Sequence, residues 1–131
     1  MKALSLTQPW AALVVTGAKR FETRSWTTAY RGPLLIHAAK RFPGYAIDFC
    51  SVLRSRPPEL PLGAIIGRVV LKTIHRAEII APTLTDLERL YGDYNPGRWA
   101  WELTEAEMFA PIPWKGALGL FEVTLPPAGG S

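Results

Sequence analysis

Gly17-Ala18-Lys19-Arg20-Phe21-Glu22-Thr23-Arg24 lies between an apolar helical stretch and a strand-like run, and the fold turns on how it is read. If the chain is extended here, alternation puts Arg20, Glu22 and Arg24 on one side and Lys19, Phe21 and Thr23 on the other. If it is helical, Lys19 and Glu22 share one face. Gly17 favours extension, because a glycine just past an apolar helical stretch is a stop signal, and the Thr-rich sequence beyond suits a strand.

Upstream, Lys2 to Leu6 alternates Ala3 and Ser5 with Leu4 and Leu6, which predicts a short first strand. Thr7 has the chemistry of an N-cap, with Pro9 in the first turn and Trp10, Leu13 and Val14 along one stripe, so a helix of two to three turns runs to Gly17. Downstream, Phe21 to Trp26 reads as a strand. After the Arg31-Gly32 turn, Pro33 to Ala38 is a continuously apolar run suited to a buried strand, closed by His37. Tyr45 to Leu53 carries Ile47, Phe49, Cys50 and Leu53 at helical spacing, with Cys50 read as a small core hydrophobe.

Pro57, Pro58 and Pro61 make Arg54 to Gly63 a loop. Ala64 to Ile80 is β-branched and nearly uninterrupted, predicting one bent strand or two joined ones, with Gly67 marking a bulge or a close backbone approach. Thr85-Asp86-Leu87-Glu88 is a capping box opening a short helix that Gly92 ends. An aromatic, turn-rich loop over Tyr91 to Gly97 leads into a strand from Arg98 to Leu103. There Arg98, Ala100 and Glu102 alternate with Trp99, Trp101 and Leu103. Ile112 to Lys115 and Leu118 to Leu125 supply the last strands, and 126–131 is read as a tail beyond a single domain over 1–125. About six strands and three short helices at hairpin-like spacing predict an α+β fold: a small, mostly antiparallel barrel with helices around it.

Composition narrows the functional classes. With 131 residues, 48% of them apolar, the chain can bury one core without staples. A single cysteine excludes an internal disulfide framework and a cysteine-based zinc site, and fits a reducing, cytoplasmic compartment. No apolar run approaches a membrane span, so a soluble protein is expected. His37 and His75 are too isolated for a metal centre, and no phosphate-binding glycine loop or serine elbow occurs; neither metal nor cofactor is expected.

The net charge of +4 hides an asymmetry. Residues 1–76 hold twelve Lys/Arg against three acids, a balance of +9, whereas residues 77–131 hold three against eight, a balance of −5. If the halves stay partly segregated, one face meets phosphates; if they interleave, the charges cancel.

Four stretches occur in one order: Leu4-Ser5-Leu6-Thr7-Gln8-Pro9-Trp10-Ala11, Gly17 to Arg24, Arg31-Gly32-Pro33-Leu34-Leu35-Ile36-His37-Ala38, and Lys115-Gly116 to Phe121. Together they resemble the ASCH (activating signal cointegrator homology) domain family, whose hallmark G-x-K-x-x-E-x-R is matched by Gly17, Lys19, Glu22 and Arg24. The resemblance implies a PUA-like β-barrel with a cleft lined by the hallmark residues that binds nucleic acid or a nucleotide-like ligand. It also implies an alternative, since some relatives hydrolyse acetylated cytidine with a lysine, a threonine and a glutamate, and others act as ribonucleases. Lys19 matches that lysine, but Glu22 stands where the threonine would be, and no acid occurs over Ala64 to Ile74; Glu78 is the nearest candidate.

Two readings follow. For binding to RNA or a modified nucleoside, Lys19, Arg24, Arg31, Lys40 and Arg41 are candidate phosphate contacts. Trp26, Tyr30 and Tyr94 are candidate stacking surfaces, Gln8 and His37 candidate partners for a base edge, and Trp10, Trp99 and Trp101 are read as core. For catalysis, Lys19 is a base or nucleophile, or else Lys19 and Arg24 stabilise developing negative charge while Glu22 is the base. A module that docks another protein would not need the basic half.

Overall fold

The computed structural model describes residues 1–53 and 60–125. The proline-rich segment 54–59 and the tail 126–131 lie outside the described residues, and the expectations made for them stop there. Six strands form one mixed sheet in the order β2-β5-β4-β3-β1-β6. They are β1 (Lys2–Leu6), β2 (Phe21–Arg24), β3 (Gly32–Ala38), β4 (Ala64–Arg76), β5 (Trp99–Pro113) and β6 (Leu120–Glu122). Helices α1 (Trp10–Val15), α2 (Gly44–Val52), α3 (Ala77–Ile80) and α4 (Asp86–Leu90) are short. The sheet curls into a half-barrel, so the α+β class and the strand count agree with the sequence. All pairings are antiparallel except β1 with β3, where Ser5 stands opposite His37.

Several boundaries differ from expectation. Ala64 to Ile80 is one strand only as far as Arg76; Ala77–Ile80 turns helical and runs into a 3-10 turn, Ala81–Thr83, where Pro82 lacks the N–H a strand would need. The two strands read at Arg98 to Leu103 and Ile112 to Lys115 belong to one 15-residue strand, β5. Its length comes from β4, which pairs with it from Ala64↔Pro113 to Arg76↔Trp99 across three irregularities. The last strand shrinks to three residues. In α2 the buried residues are Ala46 and Cys50; Ile47, read as core, is exposed.

The core lies between the sheet and α1, where Ala11 to Val15 are all buried and Ala11, Val14 and Val15 pack with Leu34, Ile36, Ile66, Val69, Trp101 and Leu103. This contact explains Gly67: a Cβ there would lie 2.3 Å from the Glu107 carbonyl oxygen and 2.6 Å from Val15 Cγ1, so the close approach read from the sequence is one that only glycine permits.

Helix α1 begins later than predicted. Its N-terminal donors are met by the Thr7 carbonyl, which accepts from Ala11 N at 3.2 Å, and by Gln8 Oε1, which accepts from Ala12 N at 3.0 Å. Gln8 therefore does the capping assigned to the Thr7 hydroxyl. At the far end Gly17 takes φ +82° and its N–H reaches the Val14 carbonyl, ending the helix as read.

Candidate nucleic-acid interface

Strand β2 carries the second half of the hallmark, Glu22 and Arg24. It pairs with β5 in the register Glu22↔Trp101 and Arg24↔Trp99, so Phe21 and Thr23 are buried while Glu22 and Arg24 point outward, in line with the extended reading. Lys19 precedes the strand and is 1% exposed. Its backbone N–H reaches the Leu13 carbonyl at 2.9 Å, which turns the side chain inward, where Nζ donates to the Phe21 carbonyl and lies 3.2 Å from Glu22 Oε1. Alternation gives the burial correctly and is silent about this pairing.

Glu22 is gripped from both sides, because its Oε2 lies 3.1 Å from Arg24 Nε. The Nε–H does not point along that contact and has no hydrogen-bond acceptor among the described residues. Arg24 Nη2 donates to the Ser5 carbonyl at 2.7 Å, which ties β2 to β1 across the groove. The result is a chain of contacts, Lys19 to Glu22 to Arg24 to Ser5.

A loop closes over this end. Thr23 Oγ1 accepts from Asp93 N at 3.0 Å, and Arg98 donates to the Asp93 carbonyl at 3.0 Å and to the Thr23 carbonyl at 3.3 Å. The capping box forms in one half only: Glu88 N donates to Thr85 Oγ1 at 3.1 Å. The Glu88 carboxylate is instead drawn inward, where it accepts from Arg20 N at 3.1 Å and Phe21 N at 3.4 Å. Burial raises the Tyr94 hydroxyl well above the usual tyrosine range, and the Glu88 and Glu22 carboxylates push the same way.

Two concavities result, and they share Ser5, Thr7 and Tyr45. The first, about 530 Å³, contains Glu22, Arg24 and Trp26 together with Trp10, Phe49 and Tyr91. Trp10 stacks on Phe49 at 4.9 Å, and Trp26 stands edge-on to Trp101 at 4.9 Å. The second, about 1170 Å³, is walled by Lys40, Arg41 and Lys115, with no carboxylate among its described lining residues. His37, 2% exposed, forms its floor. The His37 Nε2–H donates to the Trp114 carbonyl at 2.7 Å, and Nδ1 is hydrogen-bonded to the Ser5 hydroxyl at 2.9 Å.

The predicted site residues therefore divide. Glu22, Arg24 and Trp26 line the aromatic compartment, and Lys40 and Arg41 the basic one. Lys19 lies behind Glu22, almost fully buried, and lines neither compartment, its Nζ set against the Phe21 carbonyl and the Glu22 carboxylate. Gln8 is fully buried, its amide spent on Pro61 and Ala12, and His37 has both ring nitrogens occupied, so neither is free to read a base edge. Tyr94 turns its hydroxyl inward and does not line either compartment. Arg31 and Tyr30 lie outside both, Arg31 folding onto the Thr28 and Tyr30 carbonyls and Tyr30 donating to the Pro33 carbonyl. Glu78, the candidate second acid, lines neither. Trp10, expected in the core, is a wall of the site.

Sequence reasoning missed Ser5, Tyr45, Glu88 and Lys115 as site-building residues. A polar Ser5 within an apolar strand was the available signal for the first. The others become neighbours only through contacts between segments far apart in the chain.

These features define a class: a curled, mixed six-stranded sheet whose hallmark strand opens onto a groove with an aromatic and a basic half. A family model for the ASCH domain matches residues 4–113, and the chain belongs to that family. Activating signal cointegrator 1 from Homo sapiens and from Mus musculus are each 55% identical over 40 residues, 30% of this chain but only 7% of theirs. Most of those longer proteins therefore lies outside the likeness. Crystal structures of ASCH from Zymomonas mobilis share the fold. The unsubstituted protein aligns with TM-score 0.60 at 17% identity over 94% of this chain and 87% of that one. A variant of it with one tyrosine replaced by phenylalanine aligns with TM-score 0.60 at 17% identity over 94% and 89%.

Proposed function

We propose that this ASCH domain binds RNA, receiving one nucleoside of the strand, ordinary or modified, in the compartment built round Glu22 and Arg24. The observation that carries this reading is the conjunction in one concavity of stacking rings, Trp10, Trp26 and Phe49, with a fixed carboxylate and guanidinium. Aromatic faces take any base at roughly 1–3 kcal/mol per stack. A carboxylate accepts from an exocyclic amine, and a guanidinium donates to a ring carbonyl or nitrogen. Acetylated-cytidine hydrolysis is the alternative, with Glu22 as its base and Arg24 opposite the developing negative charge.

Titration of a short single-stranded RNA at two salt concentrations tests the proposal, on wild type and on Arg24→Ala and Trp26→Ala. Salt-sensitive binding that weakens about tenfold in each variant supports it. Undiminished binding in both variants would move the site elsewhere. Release of acetate from acetylated cytidine, abolished by Glu22→Gln, would make the groove an active site.

A further inference from the structure

We infer that the groove takes a nucleotide in preference to a bare nucleoside, with the base in the aromatic compartment and its phosphate in the basic one. The inference rests on the function proposed above and adds the phosphate subsite. Ser5 joins the two compartments, because its carbonyl holds Arg24 of the first at 2.7 Å while its hydroxyl bonds His37, the floor of the second, at 2.9 Å. The compartments thus adjoin at Ser5, Thr7 and Tyr45, as a base and its phosphate adjoin one sugar.

The chemistry of the two halves is complementary to that division. The Ser5 hydroxyl and His37 are spent on each other and on the Trp114 carbonyl, which fixes the floor of the second compartment. Gly116 seals this arrangement, since a Cβ there would lie 2.7 Å from His37 Cε1. Recognition then falls to Lys40, Arg41 and Lys115, delivered from two separate loops, one after β3 and one after β5, to one cavity. Each is exposed, and none forms an ion pair among the described residues. Three converging cations with no carboxylate among the described lining residues suit a phosphate, which charge-assisted hydrogen bonds hold more strongly than neutral ones. In the first compartment Arg24 faces Glu22, so a phosphate placed there would meet the carboxylate.

The test is competition against a labelled short RNA by the four nucleosides, their 5′- and 3′-monophosphates, and inorganic phosphate. It uses wild type, the triple variant Lys40→Ala/Arg41→Ala/Lys115→Ala, and Glu22→Gln. At least one monophosphate should compete about tenfold or more better than its nucleoside and better than inorganic phosphate. The triple variant should lose that preference while keeping its affinity for the nucleoside, and Glu22→Gln should weaken nucleoside and nucleotide together. Equal competition by nucleoside and nucleotide would overturn the inference and leave the proposed function standing, as would a phosphate preference that survives the triple variant. Inorganic phosphate competing as well as the nucleotide would also overturn it, because the compartments would then act separately. Failure of the labelled RNA itself to bind would instead remove the function on which the inference rests.

Discussion

Glu22 and Arg24, at one end of the groove, are tied to Lys19, to each other and to the Ser5 carbonyl, whereas Lys40, Arg41 and Lys115 at the other end stand on exposed loops without ion-pair partners among the described residues. The tied end has lost its side-chain freedom before any ligand arrives, so its contacts cost little ordering and have fixed geometry. The untied end keeps its rotamer freedom, and its attraction is long-ranged and screened by salt. On the proposed function, one end discriminates and the other attracts.

Substitutions can break this contrast in a graded way. Lys19→Met leaves the largely buried Glu22 carboxylate short of one cation and the Phe21 carbonyl short of a donor. Stability should fall by about 3 kcal/mol, visible as a lower urea midpoint with an unchanged m-value. Gly116→Ala forces a methyl group to within 3.0 Å of His37 Nδ1 and displaces the ring from Ser5. We expect a loss of about 1–3 kcal/mol in the same assay, at the end of the groove that otherwise tolerates change.

Glu102 sharpens the comparison from outside the groove, because it is an ion-paired acid near the surface. Its hydrogen bond to His75 at 2.8 Å, with Lys72 at 3.6 Å, holds its carboxyl below the usual range despite partial burial. A lowered folded value contributes stability above the unfolded carboxylate value and loses it as pH falls through the folded one. Glu102→Gln should therefore cost a few tenths of a kcal/mol near neutral pH and nothing at the acid end, which thermal melts from pH 7 to pH 3 will show. The smallest stability effect belongs to Lys40→Ala/Arg41→Ala/Lys115→Ala, within about 0.5 kcal/mol by urea unfolding, although its salt slope for RNA should drop by as much as about two.

The same contrast explains what the sequence disclosed. Gly17, the alternation of burial from Lys19 to Arg24, the buried run to Ala38, the close approach at Gly67 and the burial of Cys50 all follow from local periodicity or from one residue's sterics. The family hallmark then points to β2. Other features depend on partners far along the chain. The inward turn of Lys19 rests on a bond to the Leu13 carbonyl together with a strand geometry set by β5. Gln8 looks free in the sequence because its partner, the Pro61 carbonyl, lies 53 residues away, and His37 because Trp114 lies 77 residues away. The length of β5 is hidden in Glu107 and its exposed neighbours, which have no strand-like pattern and follow β4, while Glu105, at φ +52°, sits in one of the irregularities of the pairing.

The half-barrel is open, and an open sheet offers its edges to any extended chain that comes near. Strand β2 has little such offer to make. On the side away from β5, the Phe21 N–H is taken by Glu88, the Phe21 carbonyl by Lys19 and the Thr23 carbonyl by Arg98. At the opposite edge β6 pairs for three residues only. The bonds that hold the hallmark strand in place also act as its guard against self-association, so weakening Glu88 or Arg98 would expose a template for aggregation as well as loosen the groove.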